Sequence, residues 1–183
     1  MTYWKQKFYS IMTAQNSDIL KEKILQIQWM FFDVDGILTD GSLFYGVDGE
    51  VLKKFNVLDG YGIKRLNCNG VSVGLLSSRD HPSTRIRAAE LGITNVMLGK
   101  ENKLEAFTAW SKTTGINPKY CGHMGDDFPD LDLFDVVGFT ASVPNAIEKV
   151  KKKADYVSKT TGGKGAVREV ADLILNFRGA CES

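Results

Sequence analysis

Four apolar residues run directly into two carboxylates in the stretch Trp29-Met30-Phe31-Phe32-Asp33-Val34-Asp35-Gly36. An apolar run this short, closed by a glycine, predicts a strand buried on both faces, as in a parallel sheet. Residues two apart on an extended chain point the same way. Asp33 and Asp35 are therefore expected to emerge together where the strand ends. Ligands of open α/β sheets gather at the carboxyl ends of the strands. Two like charges held there need an offsetting charge, and Mg2+, a hard cation bound through oxygen, is the natural candidate. Taken alone, the same residues can equally form a plain strand-to-turn junction, so the rest of the chain has to decide.

The 183 residues suffice for one domain with a sizeable core. We read residues 1–16 as an N-terminal arm without clear periodicity and 17–183 as a single domain. A net charge of +1 gives no basis for a nucleic-acid-binding surface. No apolar run is long enough to span a bilayer, and the first residues lack the layout of a secretory signal. Cys68, Cys121 and Cys181 are scattered without metal-ligand spacing, as expected of reduced thiols in a cytoplasmic protein, with Cys121 in the core.

Ser17-Asp18 can cap a helix whose Ile19, Leu20, Ile24 and Leu25 share one face. After the first strand, residues 42–57 read as a β-hairpin inserted around the turn Val47-Asp48-Gly49-Glu50. Asp59-Gly60 then opens a helix. Further strands are expected at 71–76, 94–98, 120–124, 136–140 and 154–158. They alternate with helices at 82–91, 102–114, from about Pro144, and at 166–177. Such alternation predicts an α/β fold, a Rossmann-like parallel sheet with helices on both faces.

Asp33/Asp35, Ser77, Lys103 and Asp126/Asp127 all fall at or just beyond strand ends. Each has an ordinary alternative. Ser77 can turn the chain, Lys103 can be a solvated helix residue, and Asp126-Asp127 can cap a helix. Asp130 and Asp132 read as solvated or supporting carboxylates. Together, however, the set suits phosphoryl transfer through an aspartyl-phosphate. Asp33 would be the nucleophile, with Mg2+ held by Asp33 and Asp126. Lys103 and the Ser77 hydroxyl would hold the phosphoryl oxygens, and Asp35 would act as acid and then base. Lys103→Ala and Asp126→Ala are each expected nearly to abolish turnover without unfolding the chain.

These motifs resemble the haloacid dehalogenase superfamily. The likeness from about Ser17 to Phe177 is closest to its 3-deoxy-D-manno-octulosonate 8-phosphate phosphatase family. It is carried by Asp33 to Gly41, Phe55 to Gly62 (Phe-Asn-Val-Leu-Asp-Gly-Tyr-Gly), Arg79, Ala89 to Ile93, Gly99 to Leu104 and Gly162 to Val170 (Gly-Gly-Lys-Gly-Ala-Val-Arg-Glu-Val). The resemblance implies Mg2+ on Asp33, Asp126 and Asp35, the last also through its backbone carbonyl. It places phosphate on Ser77 and Lys103, and a sugar acid on Asp35, Asn56, Val57, Leu58, Asp59, Gly60, Lys64, Arg79, Arg87 and Lys103. It further implies that there is no separate cap domain and that the chain forms a homotetramer in which the hairpin packs on a neighbour. The segment Gly162 to Glu169 would reach towards an adjacent subunit. The implied activity is hydrolysis of the octulosonate 8-phosphate in lipopolysaccharide biosynthesis.

Two positions depart from the family pattern. Leu58 stands where the family usually carries Arg, which removes one cation near the sugar carboxylate. Ser78 replaces a common Gly, which matters only if that turn requires positive φ. A phosphatase for a nine-carbon, sialic-acid-like nonulosonate 9-phosphate is the nearest alternative; Leu58 favours it and Arg79 opposes it. A non-catalytic member of the fold is the other.

Overall fold

The computed structural model describes residues 17–180; the expected N-terminal arm and Cys181 lie outside the described residues. A six-stranded sheet forms the centre. Its strands are β1 (Trp29–Phe32), β4 (Ser72–Leu76), β5 (Asn95–Met97), β6 (Cys121–Met124), β7 (Phe139–Ser142) and β8 (Tyr156–Val157), in the order β5-β4-β1-β6-β7-β8. Every neighbouring pair is parallel. The apolar run at 29–32 thus occupies an interior position between β4 and β6, as its composition predicts.

Alternate residues of β1 face opposite layers. Met30 and Phe32 join a large cluster with Ile24, Ile63, Leu66, Val170 and Ile174. Phe31 points into a second cluster with Phe107 and Leu133, against which Trp29 and Trp110 pack. There the Phe31 ring meets Phe107 and Trp110 edge-on, at centroid distances of 5.4 and 4.7 Å. Helices supply both layers. Residues 17–26 (α1), α2 (Val57–Cys68), α3 (Pro82–Glu90) and α7 (Ala166–Phe177) contribute to the first. Helix α4 (Lys103–Thr114) and part of α5 (Phe128–Phe134) build the second, and α6 (Glu148–Lys153) adds Val150 to the first. Cys121 lies in the second core, where burial pushes its thiol up to about 12.

Several element boundaries differ from expectation. The hairpin strands are β2 (Phe44–Gly46) and β3 (Gly49–Leu52), shorter than the 42–57 span. Helix α2 starts at Val57, two residues early, because the Asn56 side chain accepts a hydrogen bond from the Leu58 amide at 2.8 Å and caps it. The strand expected at 136–140 begins only at Phe139, since the Val136 and Val137 amides donate back to the Leu133 carbonyl. Helix α6 begins at Glu148 rather than Pro144, after the Ile147 amide donates to the Asp126 carbonyl.

Within its own chain, the segment Gly162 to Glu169 begins by packing on the turn after β1. The Gly163 amide donates to the Ile37 carbonyl at 2.9 Å. A Cβ on Gly162 would fall 1.7 Å from the Gly36 carbonyl oxygen, so only glycine permits that approach. The segment therefore props the turn that follows β1. Among the described residues no helix is long and apolar enough to cross a membrane.

Candidate active site

Three strand ends and one helix start converge above β1. Asp33 follows β1 directly, and its amide extends the ladder by donating to the Met124 carbonyl at 3.0 Å. The chain then turns through Gly36 at φ 90°. Here glycine is needed twice over: the φ is left-handed, and a Cβ would sit 2.0 Å from Asp126 Oδ2. Ser77 ends β4, Asp126 follows β6, and Lys103 is the first residue of α4. A cleft of about 180 Å³ is lined by Asp33, Asp35, Ser77, Ser78, Arg79, Asp126, Asp127 and Pro129.

Lys103 does not itself line this cleft; only 3% exposed, it contacts the lining residue Asp33. Its ammonium donates to Asp130 Oδ1 at 2.7 Å and stands 3.0 Å from Asp33 Oδ1. Asp130 is fully buried and fully used. Its Oδ1 also meets His123 Nε2 at 2.7 Å, while Oδ2 accepts the amides of Asp126 and Asp127. Burial works against its ionisation, but the hydrogen bond from His123 and the Lys103 ammonium hold Asp130 well below the usual carboxylate range. It thereby fixes both Lys103 and the backbone that presents Asp126.

Asp33 and Asp126 are in a different state. Burial drives Asp33 upward despite Lys103. Burial, together with the charge of Asp33, pushes Asp126 up to about 8. No ion-pair partner reaches the Asp126 carboxylate among the described residues. Carboxylate oxygens of Asp33, Asp126 and Asp130 lie within 4.8 Å of one another. Since Asp130 is already satisfied, the oxygens left for a cation belong to Asp33 and Asp126. An all-oxygen anionic donor set under mutual repulsion fits Mg2+. The Asp35 carboxylate is not part of that group, and its Oδ1 is held by Lys53 at 2.5 Å.

The haloacid dehalogenase-like hydrolase family model matches residues 76–170. A 3-deoxy-D-manno-octulosonate 8-phosphate phosphatase of Haemophilus influenzae is 42% identical over 87% of this chain and 89% of its own length. The chain belongs to this phosphatase family within the haloacid dehalogenase-like hydrolases. Among solved structures, the Moraxella catarrhalis phosphatase in complex with magnesium, phosphate and KDO superposes with a TM-score of 0.83 at 39% identity, covering 86% of this chain and 91% of that one. The cobalt-bound Haemophilus influenzae enzyme gives 0.83 at 43% identity, covering 86% and 92%.

In this hydrolase the expected sugar-binding residues divide. Arg79 lines the cleft together with Asp35. Asn56, Val57, Leu58, Asp59, Gly60, Lys64, Arg87 and Lys103 lie outside its lining. The Asp59 carboxylate is 1% exposed and accepts the amides of Gly165 at 3.3 Å and Arg168 at 2.9 Å, so it anchors the start of α7. Arg87 pairs with Glu90 at 2.8 Å and donates to the Asn56 carbonyl at 3.4 Å. Val57 and Leu58 are exposed, at 77% and 51%, and the Lys64 side chain is solvated.

Ser78 is unstrained, since no non-glycine residue among those described has positive φ. Its hydroxyl is buried without a partner at the edge of the cleft. Sequence reasoning passed over this hydroxyl, along with Lys53, Glu50 and the central part played by Asp130. An acidic residue four positions after Asp126 was the one available signal.

Proposed function

We propose that this hydrolase removes phosphate from 3-deoxy-D-manno-octulosonate 8-phosphate, giving the free sugar acid for lipopolysaccharide assembly, through an aspartyl-phosphate on Asp33. The observation that carries the chemistry is the buried Asp33 carboxylate, set between the Lys103 ammonium and an unpaired Asp126. The substrate follows from relatives that are phosphatases of that ester and that match this chain over most of their length, 89% for the Haemophilus influenzae enzyme.

Asp33 and Asp126, with the Asp35 main chain, would hold Mg2+, which when bound offsets the repulsion between an anionic nucleophile and an anionic ester. Lys103 stabilises charge on the transferring phosphoryl group from below. The hydroxyls of Ser77 and Ser78 and nearby amides orient its oxygens. Asp35 donates a proton to the ester oxygen as the P–O bond breaks and the Asp33–phosphorus bond forms. It then takes a proton from water as water attacks phosphorus and releases Asp33. Arg79 provides a cation for the substrate carboxylate.

The hairpin exposes Phe44, Tyr45 and Val47, a surface consistent with packing against a neighbour in a homotetramer. A cytoplasmic location fits the reduced cysteines.

Phosphate release should be measured side by side on the eight-carbon and nine-carbon ulosonate esters, with and without Mg2+. Metal-dependent preference for the eight-carbon ester is expected. Preference for the nine-carbon ester would overturn the substrate, and no release from either would overturn the enzyme reading.

A further inference from the structure

Lys53 follows β3 and leaves the hairpin pointing inward. Its side chain is 1% exposed, unusual for a lysine. Its ammonium lies 2.5 Å from Asp35 Oδ1 and 2.9 Å from Glu50 Oε1. Glu50 in turn holds Arg79 at 2.6 Å, and the Arg79 Nε is 3.8 Å from Asp35 Oδ2. Two basic and two acidic side chains thus alternate around a ring between hairpin and cleft. The hairpin is pinned on the same side by His81, whose Nε2 lies 3.1 Å from the Glu50 carbonyl. Within the ring, Asp35 Oδ1 is spent on Lys53, whereas Oδ2 is buried with no hydrogen bond of its own.

We propose that Lys53, anchored by Glu50, is a positioning residue for the reaction: it fixes the Asp35 carboxylate so that Oδ2 carries the proton to the departing ester oxygen. The inserted hairpin is then part of the proton-transfer machinery as well as a surface. The competing explanation is that Lys53 only fastens the hairpin to the body. The inference rests on the acid role given to Asp35 above. A misplaced acid costs most where the leaving group most needs a proton, on the order of 100-fold. A fastener costs every substrate alike.

The test is kcat/KM, which reports the step up to loss of the leaving group, over aryl phosphates of graded leaving-group acidity in the full chain with Mg2+. The wild-type protein should show a shallow dependence. Lys53→Met should lower phenyl phosphate by about 100-fold and nitrophenyl phosphate by less than about 5-fold, steepening the dependence. Lys53→Arg, which keeps the charge, should restore part of the shallow slope. Asp35→Asn run in parallel separates the two claims. If it leaves the slope shallow, the acid role of Asp35 is wrong. If it steepens the slope while Lys53→Met lowers all esters equally, the positioning role of Lys53 is wrong. Should Lys53→Met fail to fold, the near-isosteric Glu50→Gln serves instead: a steeper slope upholds the proposal and a uniform loss overturns it.

Discussion

Lys103 is enclosed by two carboxylates, and this changes what its removal does. Truncation to alanine leaves Asp33 and Asp130 buried without their shared cation, which costs about 3–5 kcal/mol. Lys103→Ala should therefore lower stability as well as abolish turnover, contrary to the expectation from sequence; urea unfolding of the metal-free protein would measure the drop. Asp33 and Asp126 make a second prediction. Both carboxyls are raised in the folded state, Asp126 to about 8, so the folded chain holds protons that the unfolded chain releases. Their contribution to stability is greatest in acid and is lost as pH rises from about 4 through about 8. Mg2+ binds the ionised pair and removes that loss. The rise in Tm on adding Mg2+ should accordingly be small near about pH 5.5 and larger near about pH 8.5, as calorimetry would show. A rise independent of pH would contradict the placement of the metal on these two groups. The convergence of Asp33 and Asp126 was legible because strand period and strand ends fix direction. Asp130 was not, because an aspartate in a helix's first turn looks the same whether it faces solvent or a buried lysine.

At the scale of elements, α2 and α7 are joined by Asp59, whose carboxylate serves the first amides of α7 from within α2. Asp59→Ala should destabilise the fold by about 1–3 kcal/mol, through amides left buried without an acceptor. A chemical denaturation midpoint would register this, whereas a residue serving only the substrate would change KM alone. Most elements were legible from apolar runs and their glycine stops, and α7 lies at the expected residues 166–177. The errors cluster where a local hydrogen bond overrides pattern. Asn56 captures the start of α2, and the chain after α5 curls back onto Leu133 before β7 can begin. Neither bond leaves a trace in hydrophobic periodicity.

For the molecule as a whole, the hairpin is the part with most unspent surface. Val47 is entirely exposed, with Phe44 and Tyr45 beside it. If four copies assemble through this arm, Val47→Asp should shift the protein to smaller species in analytical ultracentrifugation while leaving each subunit folded. An unchanged mass would remove the hairpin from the interface. The parallel sheet itself could be inferred from alternation alone, but the path of the Gly162-Gly163 segment could not. Contacts between positions so distant in sequence have no local signature. That segment also sets an order of events. The loop bearing the nucleophile is made early, yet its buttress arrives only after the last strand has been laid down. A nascent chain would thus carry every acidic group of its reaction centre before the turn beside the nucleophile is braced, and that bracing would come late in folding.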